Sequence, residues 1–160
     1  MADLKKLFQK LGFTNIQTYI QSGNVIFDTD LKDDNNTLAN KIEQIISKTY
    51  GFEVPVILRT VEEIEQAISN NPFLKKKAEV EGLFLTFLKN VPSAEKREGI
   101  KSFDFSPDQF EIIDKDVFGF CTGKYSKSKL TNNFFEKKLQ VSATTRNWRT
   151  VKKLLQLASD

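Results

Sequence analysis

Arg146, Arg149, Lys152 and Lys153 fall at helical spacing near the C-terminus. Such a cluster on one helix could hold a phosphate group or a nucleic-acid backbone. Lys124, Lys127 and Lys129 could join it. From Cys121 to Asp160 nine Lys or Arg stand against only Glu136 and Asp160, about +7 within a chain of net charge +3. The first 120 residues are therefore about −4. The plainer reading of the same pattern is a helix pair with a Lys-rich solvent face. Tyr19 is the best placed aromatic for stacking a base. Asn147 could read a ligand, or it could hold the start of the last helix by hydrogen bonds near Thr144 and Thr145. Asn24 could touch a partner, or it could complete the turn after Gly23. The candidate ligand-binding set is Tyr19, Ser22, Asn24, Arg146, Asn147, Arg149 and Lys153.

Other chemistries find few residues. Histidine is absent, which removes the usual acid–base group near neutral pH and the commonest metal ligand. The acidic and amide-rich stretch from Asp28 to Asn36 lacks the central glycine and closing glutamate of a calcium loop, and reads as a hydrated loop with capping residues. Asp104, Asp108, Asp114 and Asp116 are explained by loops and a hairpin turn. Cys121, the single cysteine, ends a strand and reads as a buried thiol rather than a nucleophile. No metal quartet, P-loop or dinucleotide fingerprint occurs. The expectation is no catalytic residue, no metal, no cofactor and a reading that leans away from an enzyme. With one cysteine, no signal-like apolar run and no stretch of spanning length, the expected compartment is the cytoplasm, away from membranes.

The elements that position these residues repeat. Ala2 to Leu11 places Leu4, Leu7, Phe8 and Leu11 on one helical face, with Gly12 to stop it. Asn15–Gln21 and Val25–Phe27 alternate as a hairpin around Ser22-Gly23-Asn24. Thr37–Tyr50 is a helix with Leu38, Ile42, Ile45 and Thr49 inward, stopped by Gly51. Phe52, Val54, Val56 and Leu58 alternate as a strand, and Pro55 within it marks an edge. Thr60-Val61-Glu62-Glu63 is a capping box opening a helix that ends at Asn70-Asn71-Pro72. A Lys75-Lys76-Lys77 turn marks the boundary between two units, 1–74 and 75–160.

Beyond it the pattern restarts. Leu83–Leu88 is a strand apolar on both faces, which demands cover on both or a central place in a sheet. A short helix over 93–98, a hairpin of Phe110–Ile113 with Val117–Cys121, and a helix over 129–139 capped by Ser128 follow. A short strand over 141–144 and a last helix over 145–158, with Trp148 on its apolar stripe, complete the chain. The second unit reads β-α-β-β-α-β-α and the first α-β-β-α-β-α, so the first lacks its opening strand. The fold class is α+β, with two ferredoxin-like split β-α-β subdomains, the first incomplete. In that topology the opening strand is central, so its loss leaves two unpaired edges.

Thr18-Tyr19-Ile20-Gln21-Ser22-Gly23-Asn24-Val25-Ile26-Phe27 resembles the signature of the bacterial family known as domain of unknown function 1697. Thr144 to Val151 is similar to that family's C-terminal signature, and Tyr125-Ser126-Lys127-Ser128 to a motif before its penultimate helix. The resemblance spans essentially the whole chain and implies two ferredoxin-like subdomains. It also implies an opening strand and a glycine-rich turn of the type leucine-leucine-arginine-glycine-isoleucine-asparagine-valine-glycine-glycine, which this chain does not show. A truncation or misassigned start is expected, and a natural short form whose gap a partner strand fills is the alternative. The family brings no established activity.

Three functional classes follow: a module binding nucleic acid or a small phosphate ligand through the basic C-terminal helix, an enzyme, or an interaction protein that forms a homodimer through sheet edges. The acid–base inventory disfavours the second.

Overall fold

Local signals place most boundaries. The computed structural model describes residues 2–19, 23–74, 82–122 and 128–159. Helix α1 (Ala2–Lys10) buries Leu7 and Phe8. Strands β1 (Thr14–Tyr19) and β2 (Asn24–Asp28) form an antiparallel two-stranded sheet. Their register slips between Thr14 and Gln17, where Asn15 takes a φ of 51°, a conformation asparagine tolerates. Helix α2 (Asn35–Tyr50) is capped by the Asp34 carboxylate, which accepts from the Thr37 N–H at 2.7 Å. Gly51 ends the helix at φ 78°, its N–H donating to Ser47 O. Leu38, Ala39, Ile42 and Ile46 are the buried positions of α2. Ile45 is only half-buried and Thr49 is exposed, so the inward stripe is rotated from the expected one. Helix α3 (Val61–Ser69) opens with both bonds of the Thr60–Glu63 capping box.

The remaining elements are β3 (Leu83–Leu88), α4 (Ala94–Ile100), β4 (Gln109–Ile113), β5 (Asp116–Phe120), α5 (Asn132–Leu139), β6 (Ala143–Asn147) and α6 (Trp148–Ser159). The four strands form one sheet in the order β4-β5-β3-β6, with every neighbouring pair antiparallel. All six residues of β3 are buried, as its two apolar faces require. Phe84 and Leu88 pack with Ile100, Leu130, Phe135 and Leu139 on one side. Leu83, Leu85 and Phe87 pack with Ala67, Phe73, Phe118, Trp148 and Val151 on the other. Phe84 lies across Gly119 of β5, where an added Cβ would come within 1.9 Å of the ring. A third core joins Leu7, Phe8, Phe13 and Ile16 to Leu38, Ile42 and Ile46. The molecule is thus an α+β fold with two β-sheets interleaved with helices.

Three further expectations change. Residues 53–60 have neither helix nor sheet pairing, so the expected strand over 52–58 is not formed. Pro55 lacks an N–H, and the Val56 N–H donates to the Glu43 carboxylate at 2.8 Å instead of to a strand. Thr131, not Ser128, caps α5, its hydroxyl accepting from the Phe134 N–H at 3.1 Å. The Ser128 hydroxyl donates to Asp108 at 2.8 Å. Finally, β6 runs on to Asn147 because residues 143–147 pair along β3, which delays the last helix to Trp148. The Lys75–Lys77 run and the Tyr125–Lys127 part of the short motif lie outside the described residues.

Candidate functional site

The two signature blocks meet. Asn24, at the start of β2, is buried, and its side-chain N–H donates to Tyr19 O at 3.2 Å, closing the hairpin. Its Oδ1 accepts from Arg146 Nε at 2.8 Å, a contact between residues 122 positions apart. The Arg146 guanidinium also donates to Thr144 Oγ1 at 2.6 Å and to Thr145 O at 2.8 Å. Burial draws that guanidinium below its ordinary pKa. Helix α6 follows directly and packs against β2, α3 and β3, so Asn24 and Arg146 tie the two-stranded sheet to the four-stranded one.

A second tie uses a residue that carried no signal in the sequence. The Arg59 guanidinium donates to Leu88 O at 2.7 Å, Lys115 O at 2.9 Å and Leu58 O at 3.0 Å. It lies over the Phe87 ring, 5.4 Å from its centroid. Its ion pair with Asp116 is 3.7 Å long, too far for a hydrogen bond. Burial pushes the Asp116 carboxyl up, against the pull of the Arg59 charge. Burial also lowers Arg59, with Asp116 opposing. Only the geometry exposes this role, because a lone Arg before a capping box has no periodic signature.

Between these ties lies a cleft of about 940 Å³. Gly23–Phe27 form one wall and Val54–Thr60 another. Leu4 and Phe8 of α1 with Leu38, Ile42 and Ile46 of α2 contribute a third, and Leu154, Leu155 and Ala158 of α6 a fourth. Asn24, Glu136, Thr144 and Arg146 add polar atoms. Phe52 and Val54, 57% and 37% exposed, mark apolar surface left uncovered beside it. A largely apolar cleft of this size suits a ligand buried by shape and hydrophobic contact, oriented by a few polar groups.

The other candidate residues scatter. Tyr19 is half-buried at the end of β1. Ser22 lies outside the described residues, as do Lys124 and Lys127. Asn147 is exposed and accepts from the Thr150 N–H at 2.8 Å, so it holds the first turn of α6 through Thr150 rather than through Thr144 or Thr145. Arg149 and Lys152 are exposed on α6 and Lys153 is half-buried. Cys121 is buried, and burial pushes its thiol up, away from a nucleophilic thiolate. Among the described residues no three His, Cys, Asp or Glu side chains gather as a metal set, and no helix is long and apolar enough to cross a membrane.

No curated protein matches the chain. Among solved structures, the conserved bacterial protein SP0830 from Streptococcus pneumoniae superposes with a TM-score of 0.76 at 22% sequence identity, covering 99% of this chain and 88% of that one. That likeness concerns the fold. The sequence profile of a family described as protein of unknown function (DUF1697) matches residues 1–118, which include the hairpin signature and end before the C-terminal block. The chain therefore belongs to the DUF1697 family.

Proposed function

We propose that this protein is an interaction module that binds an extended polypeptide strand between β2 and residues 53–60. The observation that supports it is the apolar cleft walled by those two segments, with no strand of the described residues between them. An added strand gains main-chain hydrogen bonds from exposed edges, while its side chains enter apolar surface. The reading rests on two split β-α-β units, 1–74 and 75–160, each ferredoxin-like in connectivity. A reducing cytoplasm, favoured by one buried cysteine, is the compartment it assumes.

The nucleic-acid or phosphate reading is the weaker one. Arg146 is half-buried and bonded to Asn24, which leaves Arg149, Lys152 and Lys153 to carry it. A homodimer is the form the interaction takes when a second copy supplies the strand.

Hydrogen exchange tests the proposal. Amides of Val25–Phe27 and 57–58 should gain protection when lysine-flanked ten-residue peptides from a random library are added. A library that protects neither segment overturns it. Protection that rises with protein concentration alone assigns the cleft to a second copy and overturns capture of a separate strand.

A further inference from the structure

We propose that β4, an outer strand of the four-stranded sheet, is where two copies of this chain pair, antiparallel about a two-fold axis at Phe110, so that the two sheets become one. The inference makes no use of the cleft beside β2 and stands or falls independently of it.

Alternation in the ladder fixes which main-chain groups are open. The Leu88 N–H donates to Lys115 O and the Cys121 N–H to Gly82 O, so the odd-numbered residues of β5 turn toward β3. Asp116, Phe118 and Phe120 therefore turn toward β4, where they pair with Ile113, Glu111 and Gln109. The intervening residues, Phe110 and Ile112, aim their N–H and C=O groups away from the sheet. Among the described residues no group bonds to them.

Other outer strands are guarded. On β6 the Lys89 N–H donates to Ser142 O, so Ala143 and Thr145 are the residues whose main chain turns outward. The Ala143 N–H donates to the Glu136 carboxylate at 3.1 Å, and Ala143 O accepts from the Asn132 side-chain amide at 3.0 Å. Thr145 O accepts from the Arg146 guanidinium at 2.8 Å. β1 is interrupted by the slip between Thr14 and Gln17. β4 keeps its register over all five residues and contains neither lysine nor proline. A flat edge of this kind is a template for another strand.

The side chains of β4 choose the occupant and the register. Phe110 and Ile112 are half-buried on the α4 and α5 face, with Phe110 edge-on to Phe135 at 5.4 Å. Gln109 and Glu111 are exposed on the other face. A two-fold axis at Glu111 would set two carboxylates directly opposite one another, which is repulsive. With the axis at Phe110, the Gln109 amide of each copy faces the Glu111 carboxylate of the other, and the two Phe110 rings are neighbours. The two Phe110 residues then exchange both main-chain bonds, and each Ile112 N–H reaches Asp108 O of the other copy. A strand that complements itself in this way takes a second copy as its partner.

Sedimentation of the full chain over about a hundredfold range of concentration should show a monomer–dimer equilibrium. Hydrogen exchange should show the Phe110 and Ile112 amides gaining protection with concentration while Val25–Phe27 do not. Ile112→Pro removes an outward N–H without touching the β5 ladder and should weaken the dimer about tenfold or more, with Trp148 emission checking the fold. Gln109 is exposed, so its variants test the same contact without disturbing the core. Gln109→Glu should weaken the dimer severalfold and Gln109→Lys should tighten it. Cysteine crosslinking reads the register. Gln109→Cys mixed with Glu111→Cys should give an intermolecular disulfide that neither variant gives alone, Cys121 being buried. A chain that is monomeric at every concentration overturns the inference. So does a dimer indifferent to Ile112→Pro and Gln109→Glu, concentration-dependent protection at Val25–Phe27 alone, or a Glu111→Cys variant that crosslinks to itself.

Discussion

The two sheets differ by two strands, and in the larger one a central strand closes the core. In the four-stranded sheet β3 is buried at every position and joins helices on both faces. In the two-stranded sheet the helices α1 and α2 pack on Ile16 and Phe13, and a cleft lies beside β2. The lesson concerns order of assembly. Helices and a hairpin can form from local signals, whereas a sheet closes only when its middle strand is present.

The largest expected effect tests the closed side. Phe118→Ala empties a site that is 1% exposed and should cost about 3–5 kcal/mol in urea unfolding. Phe27→Ala, on half-buried β2 beside the cleft, should cost about half as much. Equal losses would break the comparison.

Arg59→Ala should come next, at about 3 kcal/mol, because it strands the Asp116 carboxylate and two backbone carbonyls. The same pair has a pH signature. Burial raises the Asp116 carboxyl above its model-peptide 3.8, so its stabilising contribution is full below that value and is lost as pH rises through the raised one. Glu63 acts in the opposite sense. Burial would raise it, but bonds from Thr60 and Asn35 with the Lys115 and Arg59 charges hold it below 4.5. Its contribution is present above that value and disappears as pH falls through the lowered one. Asp116→Asn should abolish the first trend in urea midpoints and leave the second.

A double-mutant cycle between Asn24→Ala and Arg146→Ala should give a coupling of about 1.5 kcal/mol, the scale of a hydrogen bond to a charged group. Zero coupling would mean that the two sheets are not joined through this pair. The smallest effects should be alike on both sides. Thr60→Ala and Thr131→Ala each remove one N-cap bond and should cost about 1 kcal/mol apiece, since a cap is local and does not sense which sheet lies nearby.

Much of this was legible in the residues. The Thr60–Glu63 box, the Gly51 stop and the two apolar faces of β3 are short-range patterns, and each appears where its residues place it. Trp148 on the apolar stripe is buried for the same reason. The boundaries around Ser128, Thr131 and Asn147 were not legible, because two capping residues stood close together and β6 is lengthened by its pairing with β3. Nor was the site: Asn24 and Arg146 were marked as separate candidates, and their 2.8 Å contact spans 122 positions.

By itself, then, the sequence determined the helices, the hairpins, the absence of histidine and the two apolar faces of β3, all properties of periodicity and composition. Only the tertiary structure decided that residues 53–60 stay unpaired, that Arg146 turns inward to Asn24, and that Arg59 reaches across to Leu88 and Lys115. Those outcomes depend on which edges and carbonyls meet in space. A strand without a neighbour cannot be recognised from its own residues, since the hydrogen bonds that define it belong to another segment.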